Sequence, residues 1–147
     1  MHMEKEQGNI IETEYWKVIL AYDQTYLGRC IILLKRPCGD LAEITRTELL
    51  KFHDIVKRLQ KSAKQAFGAE MFNWSCLMNN AYQEKEPKPQ VHWHFRPRYK
   101  KEVVFLGEKF IDLNFGYHYT SDLLTTNQHI VNAELRNSII DEYKKFL

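Results

Sequence analysis

Residues 45–68 carry one long amphipathic helix with both ends marked, and a helix with a single apolar face needs another layer to cover it. Thr45-Arg46-Thr47-Glu48 has capping-box spacing: the Thr45 hydroxyl can accept from the Glu48 amide while the Glu48 carboxylate reaches back. Downstream, Phe52, Ile55, Val56, Leu59, Ala63, Ala66 and Phe67 recur at three- and four-residue steps, and Gly68 supplies the stop. Lys51, Lys57, Arg58, Lys61 and Lys64 fall largely off that stripe and read as its solvated face.

The segments around the helix are strand-like. Residues 15–22 are rich in aromatic and β-branched side chains. A turn over 23–28 leads into residues 29–35, whose continuously apolar middle, bounded by Gly28 and Pro37, predicts a strand buried on both faces. Residues 72–78 predict another strand, 79–89 a polar loop broken by Pro87 and Pro89, and 103–107 a short strand or turn. From about residue 126 the chain turns helical again, with Ile130, Val131, Leu135, Ile139 and Ile140 on one side. The predicted class is α+β.

At 147 residues the chain makes one domain, long enough to bury roughly two thirds of its unfolded surface without disulfides. Residues 1–12 read as a flexible lead, polar and mixed in charge over Met1–Gly8 and unlike a signal peptide. Residues 13–147 form the domain, with a helical extension from about 120. Three cysteines without a CxxC pair suggest neither a disulfide framework nor a zinc knuckle, and fit a reducing cytoplasm. A net charge of +2 argues against nucleic acid as partner, and no apolar run is long enough for a membrane span.

The chemistry concentrates in residues 90–96. Val91, Trp93 and Phe95 alternate with Gln90, His92, His94 and Arg96, so two imidazoles and a guanidinium line one face of a strand, roughly 6–7 Å apart. Imidazole can serve as neutral nucleophile or cationic acid near neutral pH, and guanidinium clamps anions. Three readings are open: strand histidines with no task, a His-x-His metal pair lacking a nearby third ligand, and histidine attack on phosphorus.

The run Gln90-Val91-His92-Trp93-His94-Phe95-Arg96-Pro97-Arg98-Tyr99 resembles the histidine-triad (HIT) signature, His-φ-His-φ-His-φ-φ, often followed by Pro-Arg. The resemblance extends over residues 15–99: Gly28 and the apolar run to Lys35-Arg36, the helix from Thr45, and Asn79-Asn80, thirteen residues before His92, match the family's layout. It implies an antiparallel sheet crossed by a long helix, in proteins that are usually homodimers. The implied function is a nucleotide hydrolase or nucleotidyl transferase, similar to diadenosine polyphosphate hydrolases. Such enzymes act at the α-phosphate of a dinucleoside polyphosphate or nucleoside phosphoramidate through a nucleotidyl-histidine intermediate.

Residue by residue, His92 matches the nucleophile, its other ring nitrogen expected on a backbone carbonyl. His94 matches the third histidine, which would bond phosphate oxygens and neutralise developing charge. Gln90 stands where the first histidine belongs, and its amide can donate but cannot transfer a proton. Asn79, Asp23 and Lys88 are the implied nucleotide contacts: Asp23 for ribose, with turn formation as its alternative, and Lys88 as the cation of a loop that also holds Glu86. Arg96 and Arg98 are phosphate contacts or solvated strand-end arginines. No resident cofactor or protein-bound metal is implied; a Mg or Mn ion would accompany the polyphosphate. The alternatives are a nucleotide-binding sensor with little catalysis, suggested by Gln90 and the acidic loop, and a metal-binding β-barrel protein.

Overall fold

The computed structural model describes residues 8–119 and 128–147. The helix stripe finds its cover in a five-stranded antiparallel sheet: β1 (Asn9–Glu12), β2 (Trp16–Leu20), β3 (Cys30–Leu34), β4 (Met71–Ser75) and β5 (His92–Arg98). The order across the sheet is β1-β2-β3-β5-β4. The helix, α1 (Arg46–Phe67), starts on the expected capping box at Thr45 and stops at Gly68, whose φ of 79° is the left-handed conformation glycine tolerates. With α2 (Ala133–Lys144) at the C-terminus this is the expected α+β architecture.

Register decides which residues share a face. Val18 stands opposite Ile32, and Ile32 opposite Trp93, so these three strands present one hydrophobic wall. Phe52 of α1 packs into it, stacked on Trp93 at 4.7 Å between ring centroids and edge-on to Trp74 at 5.6 Å. The Trp16 indole donates to the Glu48 carbonyl at 2.8 Å, tying the start of α1 to β2. The opposite face carries His92, His94 and Arg96, with Ile31 opposite His94 on β3 and Ser75 opposite it on β4. The alternation expected over 90–96 therefore holds from His92 to Arg96, whereas Gln90 lies before the strand.

Two expectations need correction. Asn9–Glu12, placed in the flexible lead, form an edge strand. Ile11 pairs with Val18 and Glu12 with Lys17, so two isoleucines gain a neighbour that the short sequence run does not reveal. The C-terminal helix begins at Ala133, because the Asn132 side chain accepts from the Leu135 amide at 2.8 Å and caps it there. Ile130 instead makes an isolated bridge with Asp23, and the proposed start near 120 lies outside the described residues. The short strand or turn expected over 103–107 is present as β6 (Val103–Phe105) and the turn that joins it to β7 (Glu108–Phe110) in a hairpin.

Gly28 is held to glycine twice. Its φ is 86°, and an added Cβ would lie 2.5 Å from the Tyr143 hydroxyl, which donates to the Gly28 carbonyl and docks α2 on the β2–β3 turn. Among the described residues no helix is long and apolar enough to cross a membrane.

Candidate active site

His92 opens β5 opposite Leu33, on the face that α1 does not cover. Its Nδ1 lies 2.7 Å from the Gln90 carbonyl oxygen. A carbonyl only accepts, so Nδ1 carries a proton, and in the neutral ring the lone pair therefore stands on Nε2. This is the tautomer a nucleophilic imidazole needs, held by the backbone-carbonyl partner that the sequence leads one to expect.

His94 lies beside it, ring centroids 5.0 Å apart and planes at 77°. Burial first, then the charges of Arg96, His92 and Arg29, push its imidazolium down from 6.5 to about 3. The resting ring is neutral at physiological pH. A neutral ring carries no charge of its own, which departs from the expectation that His94 neutralises developing charge. The unfolded chain takes up this proton near pH 6.5 and the folded chain only near 3, so acid favours unfolding across that window. Glu48, held at about 2 by the Arg36 guanidinium, adds its own loss only below 4.5. The melting temperature should therefore fall between pH 6.5 and 4.5, and His94→Gln should flatten that decline in a calorimetric pH series. An unchanged slope would refute the assignment.

Gln90 is fully engaged. Its Nε2 donates to the carbonyls of Leu34 at 2.9 Å and Arg36 at 2.8 Å, and its Oε1 accepts from the Cys38 amide at 3.0 Å. This corrects the expectation that the amide donates to a phosphate or leaving group: no N–H is left over to do so.

Asp23 takes its turn-forming alternative. Oδ1 accepts from the Thr25 amide and hydroxyl and from the His129 amide, while Oδ2 is buried 3.9 Å from Arg29 Nη1. It lies past the Cys30 end of β3, and His92 faces Leu33 at the other end, roughly 10 Å along the strand. The carboxylate closes the β2–β3 turn and pins the C-terminal segment, and is not brought to the histidines. Asn79 is exposed, follows Met78 in a left-handed conformation (φ 57°), and makes no side-chain cap to the short helix after it. Lys88 is exposed two residues before Gln90.

The arginines are neither solvated nor, for Arg98, available to a ligand. Arg98 forms a bidentate pair with Asp112, at 2.6 and 3.0 Å, under the segment that follows the hairpin. Arg96 is buried against the Tyr119 ring at 3.9 Å. Arg29, not singled out from the sequence, joins the His94 face by continuing the β3–β5 register one step past Cys30. Alternation of Arg29, Ile31 and Leu33 could have revealed it, but the apolar run hides that period. Burial pushes the Cys30 thiol up to about 12 and raises that of Cys76, so neither supplies a thiolate. Among the described residues no three His, Cys, Asp or Glu side chains gather as a metal ion requires.

By sequence the chain matches no family model and no curated protein. Solved structures are closely similar in shape. A histidine-triad protein from Sinorhizobium meliloti superposes with a TM-score of 0.72 at 16% identity, over 98% of this chain and 92% of that one. A hypothetical histidine triad nucleotide-binding protein from Sulfolobus tokodaii gives 0.66 at 15% identity, covering 97% and 84%. Plasmodium falciparum diadenosine triphosphate hydrolase in complex with cyclomarin A gives 0.62 at 11% identity, covering 96% and 76%. With its five antiparallel strands, a long helix across them and a C-terminal helix, this chain has the fold of the histidine-triad proteins.

Proposed function

We propose that this chain binds an adenine nucleotide compound and cleaves it at the α-phosphate through a nucleotidyl-histidine on His92. The observation that carries this reading is the 2.7 Å bond from His92 Nδ1 to the Gln90 carbonyl, which leaves Nε2 as the bare ring nitrogen. In the first step the Nε2 pair forms a bond to phosphorus, and the bond to the leaving phosphate breaks with its electrons on the departing oxygen. The Nδ1 proton stays on the ring, so the imidazolium formed remains bonded to the Gln90 carbonyl. Water then attacks the same phosphorus, the P–N pair returns to Nε2, and the water proton passes to solvent. Neutral His94 donates to phosphate oxygens, and Asn79 and Lys88 contact the nucleotide. A Mg or Mn ion would travel with a polyphosphate as part of the substrate.

The leaving group separates two substrate classes. A departing phosphate needs no proton, whereas a departing amine does, and the Gln90 amide has no donor to offer it. Turnover of a nucleotide anhydride should exceed that of adenosine 5′-phosphoramidate by about 10²–10⁴-fold, the ordinary worth of a general acid. Equal rates would contradict this. The reading itself is tested by single turnover with radiolabelled nucleotide and rapid denaturation: a protein-bound, acid-labile label supports it. Binding without label or product supports the second reading, a nucleotide sensor, which the engaged Gln90 amide and the depressed His94 favour.

A homodimer accompanies this reading. Strand β4 ends the five-stranded sheet and is half-buried throughout, an edge whose backbone a second copy can extend. Sedimentation of the purified chain tests it.

A further inference from the structure

We infer that Gln90 is a positioning residue: its side-chain amide fastens the start of β5 to the bend after β3, and so holds in place the carbonyl that orients His92. Three hydrogen bonds from one side chain reach Leu34, Arg36 and Cys38, while its own main-chain oxygen receives His92 Nδ1. The next residue adds two more links to the same bend, from the Val91 amide to the Cys38 carbonyl at 2.8 Å and from the Leu34 amide to the Val91 carbonyl at 3.1 Å. Gly39 completes the joint, because a Cβ there would lie 3.1 Å from both a ring carbon and the carbonyl oxygen of Pro89.

The bend is anchored on its far side as well. Arg36 donates twice to Glu48, at 2.7 and 2.9 Å, and Glu48 accepts from the Thr45 amide at 2.8 Å within the α1 cap. The capped helix therefore steadies the bend, the bend steadies the Gln90 amide, and the carbonyl of the same residue fixes the His92 tautomer. An amide suits this task for a chemical reason. It offers two donors and one acceptor in one plane, and none of them titrates near neutral pH. A neutral imidazole offers one donor and one acceptor, so it could not make all three contacts.

The inference rests on His92 as nucleophile only in its kinetic arm; the structural arm is read without turnover. In ¹⁵N-labelled protein, His92 of the parent should show a protonated Nδ1 and a pyridine-like Nε2. Gln90→Met keeps the length of the side chain and removes the three bonds. It should move the His92 resonances toward a mixture of tautomers and slow adduct formation on the order of 100-fold, as a displaced nucleophile does, with substrate KM little changed. Ser62→Ala, which removes a buried bond from α1 to the Tyr143 carbonyl far from the site, is the control for lost stability and should leave the tautomer untouched. Gln90→His retains a single donor and should fall between parent and Gln90→Met. An Nε2-protonated His92 in the parent, or an unshifted spectrum in Gln90→Met, overturns the inference even if the protein proves catalytically inert. An intact tautomer shift with no adduct in any nucleotide assay would leave Gln90 as proposed and remove the enzymatic reading instead.

Discussion

His92→Asn should abolish the nucleotidyl adduct and lower turnover on the order of 10⁴-fold or more, the scale seen when a covalent nucleophile is deleted. Asparagine can still donate to the Gln90 carbonyl, so the start of β5 should stay in place. What it lacks is the lone pair at Nε2, and no neighbouring group replaces it. His94 is the only other imidazole on β5, and its Nδ1 is buried without a hydrogen-bond partner among the described residues. Nucleotide binding, followed by calorimetry, should persist within a few-fold, since the contacts proposed for Asn79 and Lys88 do not pass through residue 92. Adduct or turnover at the parent rate in this variant would remove His92 from the chemistry and leave the fold assignment standing.

The largest structural effect should come from Asp112→Ala. The Arg98 side chain is wholly buried, and its guanidinium is satisfied by both Asp112 oxygens, the Asn73 amide oxygen and the carbonyls of Tyr117 and Asn114. Asp112 in turn accepts from the Tyr99 and Asn114 amides, so the pair binds the segment after the hairpin to the end of β5. Removing one partner strands a buried charge, which costs about 3–5 kcal/mol and should lower the melting temperature on the order of 10 °C. The double substitution Arg98→Met with Asp112→Leu should recover only part of that loss, because it removes the stranded charge but leaves the Tyr99 and Asn114 amides and the Tyr117 and Asn114 carbonyls without their partners. Chemical denaturation of the three proteins measures both. A loss under about 1 kcal/mol for Asp112→Ala, the worth of an exposed pair, would refute the clamp.

Local patterns were legible where one segment contains all of its own information. The α1 cap and stop lie within a few residues of the helix they bound, and the alternation in residues 90–96 states by itself which side chains leave the core. The strand β1 was not legible, because four residues with two isoleucines become a strand only through the neighbour they pair with. The start of α2 was misplaced because Ile130 and Val131 fit a helical stripe, while the Asn132 cap excludes them from the helix.

The candidate site divides along the same line. Sequence alone determined the long capped helix, four of the five sheet strands, the α+β class and the presence of His92 and His94 on one strand face, all through periodicity and spacing. Tertiary structure decided what each polar group does, since hydrogen-bond capacity is used up by partners distant in sequence. Gln90 is taken by a bend more than fifty residues away, Asp23 by Thr25 and His129, and Arg98 by Asp112. A side chain's type lists what it can donate or accept; only the folded chain shows which of those bonds are still free for a substrate.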